Sequence, residues 1–449
     1  MSSFIDNISH WWTTVQLRLF ANMSDLFPDD PVTERLKLLL LILEVIPIEH
    51  FMTQWTFSAA VGAKPHERRR FIRAYIAKIV LQIETNVSLI DRLNVDGALR
   101  RICGWSARQK TPTARVVTYQ VRAGERSNSL KRTQKGANAK DSVPSDSTFS
   151  RAFAEIAESN LLSLVLEALV KQTLSETITE HVSYDSTAIA ARESVKGPKK
   201  PAASVSPPPL LPLDASSREA TDAVQTPADA SPPKRKRGRP KHGEEAPPKE
   251  PTVLERQRAE SELTKILELL PTGCDFGTKT DTNGHKMTWK GYKANLAVTD
   301  DGFPIAVIVT SASPHDSQMA IPLLRITAFR IRSCYDLLDA AYDAEQIYAE
   351  STQLNHVPII DKNCRSKTVK EETERLAKLD RSRIQLDQQL VEVDRARRYN
   401  ARSGIERFNG FFKDSCGGRR IWVRGHAKIL ATVLLGVLVA FARNWINFI

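Results

Sequence analysis

Residues 399–413 read YNARSGIERFNGFFK. Taken as a helix, this stretch sets Arg402, Glu406 and Lys413 along one side, because residues three, four and seven apart share a helical face. Phe408, Phe411 and Phe412 supply apolar anchors at helical spacing. A carboxylate fixed between two cations on a rigid helix has chemistry to offer. The acid can hold a metal ion, and Arg and Lys can hold phosphate. Taken alone, the same spacing also describes an ordinary amphipathic helix with a solvated charged face.

The order Tyr399, two residues, Arg402, three residues, Glu406, six residues, Lys413 resembles the Y-R-E-K signature of bacterial insertion-sequence transposases of the DDE class, with all four positions filled. The resemblance implies a ribonuclease H-like site in which Glu406 is the third acid and two aspartates lie upstream at strand ends. Residues 181–189, HVSYDSTAI, read as a short strand ending near Asp185 within a strand region over 180–190. Residues 335–343, YDLLDAAYD, read as a second strand ending near Asp339 and followed by a helix. These resemble the family's Asp-Ser-Thr and Asp-x-Gly-Tyr-Asp motifs, with Ala341 standing where glycine is usual. Any one of these aspartates alone reads as a surface or capping residue. The three acids together, in order and in this local context, point to a site.

Composition agrees with such a protein. The chain has 449 residues, 41% of them hydrophobic, enough for a large core and roughly two or three domains. A formal net charge of +12 favours a polyanionic partner, nucleic acid ahead of an anionic membrane. The five cysteines (Cys103, Cys274, Cys334, Cys364 and Cys416) show no metal-ligand spacing, and their odd number speaks against a disulfide framework. A cytoplasmic, nucleoid-associated protein is expected, with no secretory signal, since Asp6 and His10 precede any apolar run. Residues 429–442, ILATVLLGVLVAFA, fall short of the roughly 20 residues a bilayer needs. They read as a buried core helix, and no membrane partner is expected.

Along the chain, helical spacing is expected over 32–46, 68–83 and 88–103, and a capped helix opens at Ser145-Asp146. The stretch 69–105 resembles the family's N-terminal domain, which the resemblance associates with recognition of the element's ends. Residues 1–175 are therefore taken as a helical DNA-end-binding region holding a basic loop over 106–140, where Arg115, Arg122, Arg126, Lys131 and Arg132 face one acid, Glu125. Residues 176–445 are taken as the catalytic domain. It is interrupted by a Pro-, Ala- and Ser-rich segment over 194–250, expected to be disordered, and by a charged helical insertion over 364–398.

The first interruption contains KRKRGRPK at 234–241, whose Arg-Gly-Arg-Pro core resembles an AT-hook. Gly and Pro keep such a strip thin, so that Arg237 and Arg239 can enter the narrow minor groove of A·T-rich DNA. A single helix is expected over 253–270, then a hairpin of 292–298 and 304–310 about Asp300-Asp301-Gly302. Asp316 or Ser317 is expected to cap a helix over 318–331, followed by the Asp339 strand, a helix over 344–355 and a strand at 357–360. The fold class that results is α/β: a ribonuclease H-like mixed five-stranded sheet flanked by helices, preceded by an all-α N-terminal domain.

Three carboxylates in one site repel one another and are stable only around cations. Hard oxygen ligands select Mg²⁺ or Mn²⁺, and two such ions serve an in-line displacement at phosphorus. On this reading Asp185 bridges both ions, Asp339 holds one and Glu406 the other. The resemblance implies that Tyr399, Arg402 and Lys413 contact phosphates or a displaced base, and Lys290 and Lys293, with Trp289, are candidates to line the DNA groove. The expected activity is cut-and-paste transposition by a homodimer on double-stranded DNA, at the element's terminal repeats and a target. The alternatives are a catalytically silent DNA-binding repressor or architectural protein, and a structure-specific nuclease that cuts without joining.

Overall fold

The computed structural model describes residues 32–48, 51, 67–105, 142–193, 250–280, 284–363 and 394–448. The basic loop over 106–140, the segment 194–249 with Arg237 and Arg239, and residues 364–393 of the insertion lie outside them. The elements below belong to one compact unit, Met1–Val195 with Val253–Ile449.

The helices α1 (Glu34–Val45), α2 (Arg68–Val80), α3 (Asn86–Val95), α4 (Gly97–Ile102), α5 (Asp146–Glu158) and α6 (Leu161–Leu174) precede the sheet. The single run expected over 88–103 is two helices. Asp96 leaves helical backbone at ψ 104° and its Oδ1 accepts from Leu99 N at 2.9 Å, starting α4. Phe71 meets Phe149 and Trp105 edge-on at 5.0 and 5.7 Å, and Tyr75 donates its hydroxyl to the Phe149 carbonyl at 3.0 Å.

The chain continues through β1 (Ile178–Ala191), α7 (Val253–Ala259), α8 (Leu263–Glu268), β2 (Asp275–Thr280), β3 (Lys286–Thr299), β4 (Pro304–Ser311), α9 (Ala320–Arg330), β5 (Arg332–Leu338), α10 (Glu345–Gln353), β6 (Val357–Ile360), α11 (Ser403–Ser415), β7 (Arg420–Ile421) and α12 (His426–Phe448). The order β4-β3-β1-β5-β6 forms the body of the sheet. Pairing is antiparallel from β4 through β3 to β1 and parallel from β1 through β5 to β6. This is the mixed five-stranded arrangement expected, with two additions. β2 pairs with the outer half of β3, and β7 adds a short parallel pairing to β1.

Several local expectations are corrected. β1 does not end near Asp185 but runs on to Ala191, because β3 pairs with it continuously from Val182 to Ala190. The helix expected over 253–270 is broken between α7 and α8. The Arg325 guanidinium takes the carbonyls of Arg258 and Glu260 that the break frees. β2 has the unpromising sequence DFGTKT and is a strand through tertiary pairing. Trp289 lies over Gly277, where a Cβ would stand 2.4 Å from the indole. Between Asp316 and Met319 the chain is a 3-10 turn ahead of α9, and His315, not Asp316 or Ser317, accepts from the exposed backbone N–H. At Gly291 β3 passes so close to β1 that a Cβ would lie 2.1 Å from the Ile189 carbonyl, with φ at +152°. Only glycine fits where β3 changes partner from β2 to β4.

α12 is 23 residues long and apolar enough to cross a membrane by length and composition, yet 72% of its apolar window is buried in the protein. It packs against α1, α2, α5, α6 and β4, so the N-terminal helices and the sheet share one core. On the other side, Asp336 of β5 is fully buried. Its carboxylate accepts from Tyr184 Oη at 3.0 Å, Ser351 Oγ at 2.6 Å and His356 Nδ1 at 3.0 Å, tying β1, β5 and α10 together. Asp336→Ala leaves three buried groups without their shared acceptor, and should lower unfolding free energy by about 3–5 kcal/mol. Urea denaturation of the two proteins side by side checks it, and a loss below about 1 kcal/mol would remove Asp336 as the organiser of this side.

Candidate active site

Strand register brings the first two acids together. β1 and β5 run parallel with Ser183 beside Leu337. Two residues further on, on the same face, Asp185 and Asp339 become neighbours. Asp339 follows the last residue of β5, and its Oδ1 accepts from Ala341 N at 2.9 Å. Ala341 has no left-handed backbone, so this turn does not need the glycine that the family pattern has there.

Glu406 arrives on α11. The continuous helix expected over 399–413 is interrupted. Residues 394–400 are helical, and the chain then tightens through bonds from Arg402 N to Tyr399 O and from Gly404 N to Ala401 O, both 2.9 Å. α11 begins at Ser403, and Tyr399 belongs to the preceding helix. Ile405, Phe408 and Phe412 bury the inner stripe of α11, while Glu406 projects with a 62% exposed side chain.

The tightened turn aims Arg402 into the cluster. Its Nη1 donates to Glu406 Oε1 at 3.0 Å, and its Nη2 lies 3.6 Å from Asp339 Oδ2 and 3.9 Å from Asp185 Oδ1. One guanidinium, 14% exposed, thus stands among all three carboxylates. Burial is the largest single influence and works against its charge, but Asp185, Asp339, Tyr399 and Glu406 together outweigh it and raise its pKa. Burial pushes Asp185 up to about 6, while Arg402, Lys279 and the Ser186 N–H pull in the opposite direction. Asn409 Nδ2 donates to Asp185 Oδ2 at 3.0 Å. Lys413, two turns beyond Glu406, is half-buried and its pKa is lowered, first by burial and then by Lys279 and Arg419. Tyr399 is also partly buried, and burial raises its pKa.

The other expected residues lie elsewhere or are engaged. Lys293 Nζ donates to Asp316 Oδ1 at 2.7 Å and to the Pro314 carbonyl at 2.8 Å. Lys290 stands on β3 opposite Phe276, and Trp289 donates to the Tyr292 carbonyl at 3.1 Å. A second acid–histidine group, Glu180, His181 and Asp300, has ligand atoms within 4.8 Å of one another, but Arg398 is bonded to Glu180 and His181 there. Asn409 and Lys279 were not singled out from the sequence. Asn409 had a signal, a polar residue on the apolar stripe of Ile405, Phe408 and Phe412. Lys279 carries none, because nothing in DFGTKT marks a strand.

Three carboxylates converging on one cation, with hard oxygen donors, suit a divalent ion such as Mg²⁺ or Mn²⁺. The mixed open sheet with flanking helices is consistent with a ribonuclease H-like transposase domain. Residues 251–444 match the family model described as the transposase DDE domain. That match supports a DDE transposase acting on DNA. It includes Asp339 and Glu406, and Asp185 lies ahead of it. No curated protein and no solved structure matches the chain.

If Arg402 neutralises the cluster, Arg402→Ala should destabilise the metal-free protein by about 1–3 kcal/mol at low salt. Asp185→Asn, which removes a desolvated charge, should be neutral or stabilising. The cost of losing Arg402 should shrink in the Asp185→Asn background. Denaturant midpoints of the four proteins complete the cycle, and an unchanged cost would show that Arg402 acts independently of Asp185.

Proposed function

We propose that this protein is a cut-and-paste transposase of a bacterial insertion sequence, of the Y-R-E-K group. On this reading it cleaves DNA strands at the ends of its element and joins them to a target. The observation that carries the reading is the convergence of Asp185, Asp339 and Glu406 on one cation position, within a chain whose residues 251–444 match the transposase DDE domain.

Asp185, Asp339 and Glu406 are assigned as ligands, with Asp185 facing both ions, Asp339 one and Glu406 the other. Two Mg²⁺ or Mn²⁺ ions held there would activate the attacking oxygen and stabilise the leaving oxygen in an in-line displacement at phosphorus. The attacking oxygen belongs to water when a strand is nicked and to a DNA 3′-hydroxyl when strands are joined. Arg402 and Lys413 are assigned to backbone phosphates, with Tyr399 beside them. Lys413 has no ion-pair partner among the described residues, which suits a group waiting for phosphate. Residues 1–175 are assigned to the element's ends and Arg237 and Arg239 to the minor groove. A homodimer on paired ends follows from the family resemblance.

The test is an assay with purified protein, Mg²⁺ and labelled DNA carrying the element's own ends. Wild type is expected to cut at the ends and join them to target DNA, and EDTA should stop both. Asp185→Ala, Asp339→Ala and Glu406→Ala should each bind the ends and do neither. Cutting without joining would favour the nuclease, and binding without cutting would favour the silent DNA-binding protein. Mutants that cut as well as wild type would remove these three acids from the chemistry.

A further inference from the structure

We propose that Asn409 is the positioning residue for Asp185: its side-chain amide holds one carboxylate oxygen so that the other faces the cation site. The inference rests on the reading of Asp185 as a metal ligand and adds a residue to that reading. Asn409 sits on the buried stripe of α11, four residues after Ile405 and three before Phe412, and is only 9% exposed. A buried amide at an apolar stripe position costs stability unless it is hydrogen-bonded. Here one end is bonded, Nδ2 to Asp185 Oδ2 at 3.0 Å, and the other is not, since Oδ1 has no partner among the described residues. A leucine would satisfy the helix better. What the asparagine supplies is a fixed donor to one carboxylate.

The direction of that bond follows from chemistry, because an ionised carboxylate only accepts and the amide must present its NH₂. The two oxygens of Asp185 are then distinguished. Oδ2 is held by Asn409, while Oδ1 lies on the side of Arg402, which also reaches Asp339 and Glu406. An incoming divalent ion competes with the positive Arg402 for these oxygens and not with the neutral Asn409. Asn409 can therefore keep the side chain oriented whether the site holds the arginine or the ion. Glu406 and Asn409 are three residues apart on one helix, so a shift of α11 would move a ligand and the orienting donor of another ligand together.

The experiment is calorimetric titration of Mn²⁺ into the metal-free full chain, for wild type, Asn409→Leu, Asn409→Ala, Asp185→Ala and the Asn409→Leu, Asp185→Ala double variant, with melting temperatures measured without metal. Leucine preserves packing and cannot donate, so Asn409→Leu should melt at or above the wild-type temperature yet bind Mn²⁺ about 10–100-fold more weakly, the range for loss of an orienting partner. Alanine should weaken binding similarly. In the Asp185→Ala background the leucine substitution should have no further effect, which a merely structural residue would not show. Wild-type affinity in Asn409→Leu, or an equal loss with and without Asp185, overturns the proposal. If wild type itself binds no Mn²⁺, the ligand assignment of Asp185 fails first, and the positioning role with it.

Discussion

Three carboxylates carried by β1, the end of β5 and α11 meet around a single guanidinium. Unit charges about 4 Å apart interact by about 4 kcal/mol at the effective dielectric of a protein surface. The attraction of Arg402 to three acids therefore outweighs its own loss of hydration, and its pKa rises despite burial. Asp185 is the most deeply placed of the three, and burial raises its pKa even beside the arginine. Glu406 is mostly exposed and depends least on the pairing. Arg402 thus offsets the mutual repulsion of the three acids.

Register delivers the acids more than loop geometry does. Asp185 stands in the middle of a strand paired on both edges, and Asp339 directly follows the neighbouring parallel strand. Long stretches of chain separate β1 from α7 and β6 from the helical residues 394–400. What cannot vary is the passage of β3 across β1 at Gly291, where any Cβ would collide with the Ile189 carbonyl.

The acids were legible in the sequence because their neighbours are. Val182, Tyr184, Thr187 and Ile189 around Asp185 signal a strand, the Asp339 stretch is read from its likeness to the family's second motif, and the Phe408 and Phe412 spacing signals the helix that carries Glu406. The antiparallel half of the sheet was legible for the same reason. Less so were the places where the backbone meets partners from afar. Arg325 takes the carbonyls that the break between α7 and α8 frees, and DFGTKT is a strand through its pairing with β3. Arg402 was legible as a cation near Glu406, but its reach to both aspartates depends on the tight turn at 401–402, which helical spacing does not reveal.

Two arginines four residues apart show which acidic cluster is the more open. Arg398 is held by Asp394 at 2.7 Å, bonds Glu180 and His181, and lies 4.1 Å from the centre of the Tyr335 ring. Its guanidinium is engaged on its edges and its face, so it fastens the 394–400 helix to β1 and β5. Arg402 makes one short bond, to the exposed Glu406, and longer approaches to Asp339 and Asp185. Its Nε is buried without a partner among the described residues. Arg402 is thus bonded more loosely than Arg398. The Glu180–His181–Asp300 group has the ligand types for a metal, but a firmly bonded arginine occupies it. The group around Arg402 is held by one short bond and two longer approaches, the more open of the two clusters.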